Sequence, residues 1–176
     1  RVGKAGSKFD PEKTKWFNHQ YLIQRNDAEI AHLFMPMLEE KNIHPTIETV
    51  TQVVALTKER VQFVNDLWNE TVFFFQTPIT YDEQVVKKRW KAETPTQMQE
   101  LHHLLSELEN FDSATLDETI KQWIENKGYG MGVVMNALRL LLVGAAKGPH
   151  LSDIMAVIGK EESLNRIASG LRVIKI

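Results

Sequence analysis

Helical spacing of apolar residues runs through almost the whole 176-residue chain, and it limits the possible folds more than any other feature. Apolar residues recur three and four positions apart, which lines one face of a helix. One such stripe consists of Ile30, Leu33, Phe34 and Leu38. No run of alternating apolar and polar residues between hairpin turns predicts a strand. The sequence therefore predicts an all-α fold.

Helix caps and prolines divide this pattern into about nine or ten predicted helices. Asp10-Pro11 begins the first predicted helix, Asn26-Asp27 begins the second, and Asp112-Ser113 offers a cap for a later one. Gln76-Thr77-Pro78 is a strong helix breaker in the middle of the chain. We expect two consecutive helical-bundle subdomains, residues 1–91 and residues 92–176, with a boundary near Pro78 as the alternative.

Composition excludes several classes of protein. The chain has no cysteine, which excludes a disulfide framework, a thiolate zinc site and a cysteine nucleophile. The longest apolar runs, residues 71–75 and 138–146, are far shorter than a bilayer span, and the first residues form no apolar signal core. We therefore expect a cytoplasmic protein with no membrane partner and no cofactor of its own.

Charge is distributed unevenly along the chain. The formal net charge of −2 argues against a cationic field over the whole surface. Residues 1–24 carry five Lys/Arg against two Asp/Glu, residues 25–126 carry nine against eighteen, and residues 127–176 carry seven against three. A polyanion is expected to touch the basic ends, although a basic excess of this size also fits an ordinary solvated surface.

Two short motifs suggest chemistry that the surrounding sequence does not complete. Glu100-x-x-His103 has the spacing that helical bundles use for a di-iron centre, but no second copy accompanies it, which favours a polar helix edge beside a leucine stripe. The glycines between Gly128 and Gly132 resemble a phosphate loop, yet the strand that precedes such a loop is missing. No serine triad with a nucleophile elbow is recognisable. We expect no catalytic residue in this chain.

Arg139 stands out because it lies in a nearly continuous apolar stretch, residues 138–151. A buried guanidinium without a partner is very costly. Arg139 must therefore reach a surface, where it can meet a ligand, or pair with an acid of a neighbouring helix. The sequence leaves both alternatives open.

Short motifs in the last third of the chain carry a specific resemblance. In order, they are Gly128-x-x-x-Gly132, Leu138-Arg139-x-x-Leu142-x-Gly144, Gly148-Pro149-x-Leu151, Ile158-Gly159-Lys160-Glu161 and Arg166-Ile167. This series is similar to the C-terminal anticodon-binding domain of glutamyl-tRNA synthetases, which are class I aminoacyl-tRNA ligases. Residues 5–10 and 13–21 resemble the segment that follows the signature lysine loop of the active site in the same family.

The resemblance implies a fragment of a glutamate–tRNA ligase that cannot activate glutamate by itself. The two ATP motifs of the family are absent from the chain, so ATP and Mg²⁺ are expected to bind only to the full-length parent. The implied partner is tRNA, through its anticodon stem-loop, with no DNA partner. The chain is expected to act as a monomer.

The resemblance also implies which residues meet the anticodon. Arg139 matches the arginine of the family's Leu-Arg motif, and the corner Gly148-Pro149-His150-Leu151 matches the segment that contacts an anticodon base. Alignment of residues 56–61 with a helix of the family places Arg60 where members that discriminate between glutamate and glutamine tRNA read the last anticodon base. Lys58 is the neighbouring alternative.

Backbone phosphates are the implied partners of other basic residues, since phosphate contacts position an RNA without reading its sequence. These residues are Lys147, Lys160 and Arg166, with Lys4, Lys8, Lys13 and Lys15 at the other end of the chain. The alternative to all of these roles is an unrelated helical protein-interaction domain, whose charged surface and apolar stripes would give a similar sequence.

Overall fold

The computed structural model describes residues 11–175, in which ten α-helices and two short 3₁₀ turns occur and no strand is found. The helices are α1 (Pro11–Gln24), α2 (Asp27–Glu40), α3 (Ile47–Thr57), α4 (Leu67–Phe75), α5 (Glu83–Arg89), α6 (Thr94–Glu107), α7 (Ser113–Lys127), α8 (Met131–Val143), α9 (Leu151–Ile158) and α10 (Lys160–Val173). The 3₁₀ turns are Lys58–Arg60 and Val64–Asp66. The all-α prediction is confirmed. None of the described helices is long and apolar enough to cross a membrane.

Side-chain caps begin several helices where the sequence predicts a start. Asn26 accepts a hydrogen bond from the backbone N–H of Ala28 at 2.9 Å, and Asp112 accepts one from Thr115 at 3.0 Å. Such caps satisfy donors that the first helical turn leaves unpaired. The predicted cap of the first helix, Asp10, lies outside the described residues.

The chain forms two compact units, of which the first ends at Glu70 and the second begins at Thr71, within α4. The predicted division between residues 91 and 92 lies further along the chain, inside the second unit, and stays a prediction about subdomains. The first unit is organised around α2 and α3, which pack against each other through fully buried side chains. Those side chains are Ile30, Phe34, Leu38, Val50, Val53 and Val54. Leu33 was expected on the same stripe, but it is 51% exposed.

In the second unit, α8 is the central helix. Seven of its thirteen residues are buried, and it contacts α5, α6, α7, α9 and α10. A helix that is apolar on most of its circumference is stable only when neighbours surround it. Gly170 lets α10 approach closely, because an added Cβ atom would collide with the side chain of Leu141 on α8. The motif-bearing part of the sequence therefore forms the core of this unit.

Arg166 forms a buried polar centre beside α8. Its side chain is 1% exposed, and its Nε donates to Glu162 at 2.6 Å. Its Nη1 donates to the carbonyl oxygens of Phe73 at 2.6 Å and Leu142 at 2.8 Å. The guanidinium thus joins the end of α4 to the end of α8. An RNA phosphate cannot reach it in this structure, contrary to the role that the resemblance implies.

Candidate functional site

Arg139 of α8 holds the backbone of the corner between α8 and α9. This half-buried residue donates from Nη1 to the carbonyl oxygens of Lys147 and Pro149, each at 2.9 Å. Hydrogen bonds from a charged donor are stronger than those between neutral groups. One guanidinium therefore fixes the backbone on both sides of Gly148, and the corner itself satisfies part of the arginine's need for partners.

Two glycines shape the chain on the way into this corner. Gly144 ends α8 with a φ of +81°, and Gly148 has a φ of +101°. A Cβ atom on Gly148 would lie 2.9 Å from Cζ of Phe73 and 3.3 Å from Cδ1 of Ile154. Both the backbone conformation and the close approach require glycine there. The corner consequently rests directly on the core of its own unit.

The side chains of the corner divide into a buried pair and an exposed pair. Pro149 is buried and Leu151 is only 1% exposed, so neither apolar side chain faces solvent. Lys147 and His150 are exposed. The resemblance implies an apolar contact with a base at this corner, but in this structure Leu151 packs inward as the first residue of α9.

His150 adds an electrostatic link to a neighbouring helix. Its Nε2 lies 3.5 Å from Oδ1 of Asp117, whose Oδ2 accepts a hydrogen bond from Lys121 at 2.6 Å. The contact between His150 and Asp117 is an ion pair only when the imidazole is protonated. The exposed face of the corner thus carries Lys147 and a histidine beside a carboxylate.

The first unit presents Arg60 on the 3₁₀ turn that follows α3, and its side chain is exposed. His19 of α1 donates from Nδ1 to the carbonyl oxygen of Val61 at 2.8 Å, directly after the turn. Lys58, at the start of the turn, forms a 2.7 Å ion pair with Asp27. The same ammonium group reaches two carbonyl oxygens at the end of α1, those of Ile23 and Arg25, at 3.4 and 3.3 Å. The turn is therefore fixed to α1 on both sides of Arg60. The ammonium group of Lys58 is engaged in contacts within the protein.

Arg60 also borders an open polar recess of about 480 Å³. The recess is lined by Glu12, Lys15, Trp16, His19, Glu59, Arg60, Val61 and Gln62. Trp16 is 58% exposed, and Phe17 and Tyr21 on the same helix are exposed as well. Exposed aromatic rings beside cations are surfaces on which RNA bases stack. Sequence reasoning missed this face, although the apolar residues of α1 are spread around the helix and do not form one stripe.

The other basic residues expected at phosphates differ in their surroundings. Lys160 donates to the carbonyl oxygen of Leu108 at 2.7 Å and so closes the end of α6, whereas Lys147 is exposed. Lys13 is exposed, and Lys15 pairs with Glu12 at 3.0 Å. Lys4 and Lys8 lie outside the described residues.

Glu100 and His103, which have the spacing of a di-iron motif, have different partners in the structure. Glu100 forms a 2.8 Å ion pair with Lys127, and the hydrogen bond from Lys127 lowers the pKa of this carboxyl group. His103 instead lies 3.5 Å from Glu107 on the solvent side of α6. Among residues 11–175, no group of three or more side chains is arranged to hold a metal ion.

Comparison with known proteins identifies the family. The anticodon binding domain family matches residues 29–171. The chain is 52% identical to a glutamate–tRNA ligase of Flavobacterium johnsoniae over 171 residues, which cover 97% of this chain and 34% of that protein. It is 49% identical over 175 residues to the glutamate–tRNA ligase of Phocaeicola vulgatus, covering 99% and 35%.

A solved structure shows the same fold. A crystal structure of a glutamate tRNA ligase from Elizabethkingia meningosepticum, in complex with its amino acid, superposes with a TM-score of 0.92 at 43% identity, over 99% of this chain and 34% of that one. The chain thus spans about a third of the length of the relatives that it matches. Nothing in these matches supports an unrelated protein-interaction domain. The chain belongs to the anticodon binding domain family, in the form that glutamate–tRNA ligases carry.

Proposed function

We propose that this chain binds the anticodon loop of the glutamate tRNA on behalf of a longer glutamate–tRNA ligase. The observation that carries the proposal is the fixed corner after α8. Arg139 holds the backbone of this corner by donating hydrogen bonds to the carbonyl oxygens of Lys147 and Pro149. Anticodon bases are single-stranded, and proteins read such bases with side chains and backbone groups held in a fixed geometry. A preorganised corner costs less ordering entropy when the RNA binds.

In this proposal Arg139 positions the corner for an anticodon base. The inward packing of Leu151 leaves the exposed side chains of Lys147 and His150, with the backbone of the corner, to meet the RNA. Lys147 suits a phosphate, since a lysine acts there as a point charge. We also keep Arg139 as a proposed anticodon-binding residue, whose guanidinium belongs to this site.

Arg60 is the proposed reader of the last anticodon base. Its guanidinium is exposed on a turn that His19 and Lys58 hold in place, so Lys58 has a positioning role and Arg60 the reading role. A guanidinium that donates two hydrogen bonds to one base edge contributes about 1–3 kcal/mol of discrimination against the wrong base. The neighbouring recess with Trp16 provides a surface for an adjacent base or sugar.

The intact ligase would use ATP and Mg²⁺ to activate glutamate through parts of the protein outside this chain. The chain alone is then a tRNA-binding module that forms no glutamyl-tRNA. We also propose that it acts as a monomer in the cytoplasm, as the sequence led us to expect.

Titration with two RNA stem-loops tests the proposal. One stem-loop carries a glutamate anticodon, and the other differs only in the last anticodon base. We expect the chain to prefer the first by about 5- to 150-fold, the equivalent of one bidentate base contact. Arg60→Gln should remove this preference, while Arg139→Gln should weaken both complexes by about tenfold, through loss of the held corner.

Arg172→Gln is the matched control, because Arg172 is an exposed arginine in the last turn of α10 and lies outside both regions. It should leave both affinities within about twofold, as expected for one surface charge. The proposal fails if the unaltered chain shows no preference between the two stem-loops. It also fails if Arg60→Gln and Arg139→Gln behave like the control.

A further inference from the structure

The basic end of α5 is a charged surface that the proposed site does not use. Lys88 and Arg89 lie in the last turn of α5, and Lys91 follows it. All three side chains are exposed. Among residues 11–175, no side chain or carbonyl group forms a hydrogen bond or ion pair with their cationic groups. Three cations within four residues therefore face solvent in a chain whose net charge is negative.

This surface differs from the cations that the sequence singled out. Arg166 is buried against two carbonyl oxygens, and Lys160 closes the end of α6. Lys87, one residue before the cluster, sits 3.8 Å from Glu83. The structure thus uses the motif cations to build the second unit and leaves Lys88, Arg89 and Lys91 available to an external anion.

The three cations are carried on a rigid backbone. The Trp90 side chain between them is only 3% exposed, and the backbone N–H of Trp90 donates to the carbonyl oxygen of Val86 at 2.9 Å. The N–H of Lys91 donates to Oγ1 of Thr94, which is fully buried, at 2.9 Å. Lys88 and Arg89 are exposed, whereas Trp90 on the same short segment is buried. Little backbone entropy remains to be lost when an anion binds here.

Helix electrostatics explain only part of the cluster. Lysine and arginine are favoured in the last turn of a helix, where the backbone dipole is negative. Lys91 lies outside α5 and shortly before Thr94, the first residue of α6, where the dipole is positive and disfavours a cation. Its position is therefore not accounted for by the helices on either side.

An RNA backbone fits the charges of this surface. The exposed side chains of the cluster are all cationic, and its apolar residue, Trp90, is only 3% exposed. An RNA backbone needs only cations that face it. The N-terminal cap of α5 is also tied to the proposed site, because the N–H of Asp82 donates to the carbonyl oxygen of Gly144 at 2.8 Å. Gly144 ends α8, the helix that carries Arg139.

We infer that Lys88, Arg89 and Lys91 form a phosphate-binding platform for the backbone of the tRNA anticodon arm. The platform rests on the proposed function, since it is meant for the same RNA. It contributes affinity without reading sequence, while the corner and Arg60 read bases. It should therefore act equally on matched and mismatched anticodons.

The test is a salt titration of RNA binding by the full chain and the triple variant Lys88→Gln, Arg89→Gln, Lys91→Gln. The logarithm of the affinity decreases with the logarithm of the salt concentration, and each lost phosphate contact makes this negative slope less steep by about one. For the triple variant we expect a slope that is less steep by about two to three. We also expect its affinity at about 50 mM salt to be about tenfold lower for both stem-loops. The preference between the stem-loops should not change.

The charge-matched control is the triple variant Lys41→Gln, Lys127→Gln, Arg172→Gln. These three cations are exposed and lie outside the platform. The platform is overturned if the triple variant keeps the original slope, or if the control loses as much. Polyglutamate is titrated in parallel as an acidic protein probe. Loss of polyglutamate binding with an unchanged RNA slope would overturn the inference and assign the surface to an acidic protein.

Failure of the platform and failure of the anticodon proposal are distinguishable. A chain that keeps its anticodon preference while the triple variant has no effect contradicts the platform alone. A chain without anticodon preference, whose salt slope still depends on the three cations, contradicts the anticodon proposal and supports the platform as a general RNA contact. Absence of any RNA binding contradicts both.

Discussion

Arg60 in the first unit and Arg139 in the second show how one side-chain type serves two structural purposes. Arg60 is exposed on a 3₁₀ turn, and other residues hold that turn in place. Arg139 is half-buried and itself holds the corner, through two carbonyl oxygens. Substituting Arg60 should therefore change the preference between anticodon bases, whereas substituting Arg139 should change the conformation of the corner and weaken binding of both stem-loops.

The supports of the two regions differ in burial. The corner rests on Phe73 and Ile154, and the carbonyl oxygen of Phe73 is itself bound by the buried Arg166. The turn is held by Lys58 and Asp27, whose side chains are 18% and 32% exposed. Buried supports carry a larger free energy than partly exposed ones. Damage to the second region should consequently cost more stability.

The largest effect is expected from Arg166→Met. The substitution leaves Glu162 without its cation and the carbonyl oxygens of Phe73 and Leu142 without a donor, at a cost of about 3 kcal/mol in the free energy of unfolding. Urea denaturation followed by circular dichroism measures it. Arg172→Met, an exposed arginine of the same helix, should cost less than about 0.5 kcal/mol. Equal costs would show that the buried centre does not support the corner.

Gly148→Ala should have the next largest effect, about 2 kcal/mol of destabilisation. Alanine is strained at a φ of +101°, and its Cβ would lie 2.9 Å from Cζ of Phe73. Gly132→Ala is the matched control, because its Cβ would meet only Nδ2 of Asn136 at 4.0 Å within α8. The control should be neutral or stabilising by about 0.5 kcal/mol. Comparable midpoints in urea would contradict the requirement for glycine at the corner.

Lys58→Met probes the weaker support of the first region. The variant keeps the apolar stem but loses the ion pair with Asp27 and the contacts with the end of α1, at a cost of about 1 kcal/mol. We expect the preference for the matched last anticodon base to fall about threefold, with little change in binding of the mismatched stem-loop. Lys41→Met is the control, since Lys41 lies over the ring of Trp68 and is exposed. If both variants keep the full preference, Lys58 does not position Arg60.

The smallest effect is a dependence of stability on pH through Glu162. Burial raises the pKa of this carboxyl group, but hydrogen bonds from Thr77 and Arg166, together with the charge of Arg166, outweigh burial and leave the pKa below its ordinary value. Stability from Glu162 is therefore complete above the unfolded-state pKa and is lost as the pH falls through the lower folded-state pKa. Because Glu162 is partly exposed, we expect only about 0.5 kcal/mol. Glu162→Gln should lower stability at neutral pH and flatten its decline in acid, as urea titrations at several pH values would show.

The residues that sequence reasoning placed well are those with a strong local cause. Asn26 and Asp112 cap helices because their side chains bond to donors two and three residues away, which a sequence displays directly. Arg139 could be singled out because a cation among apolar residues must find a partner. Its carbonyl partners in the corner could not be named, since backbone acceptors are present at every residue.

Errors arose where the outcome depended on contacts distant in sequence. Arg166 looked like other surface arginines, but its partners Phe73 and Leu142 lie 93 and 24 residues away and remove it from solvent. Leu151 belongs to the corner that was expected to contact a base, and its side chain packs inward in α9. The exposed aromatic residues of α1 were missed because helical spacing alone does not say which face a neighbour covers.

The sequence by itself determined the helical fold, through the spacing of apolar residues, and the family, through the order of motifs from Gly128 to Ile167. Tertiary structure alone decided which cations remain at the surface. Arg166 and Lys160 are used to join helices, while Arg60, Lys88, Arg89 and Lys91 stay exposed. The physical reason is that a buried charge is tolerated only where carbonyl oxygens or carboxylates converge on it. Such convergence comes from packing between distant segments, which local patterns do not reveal.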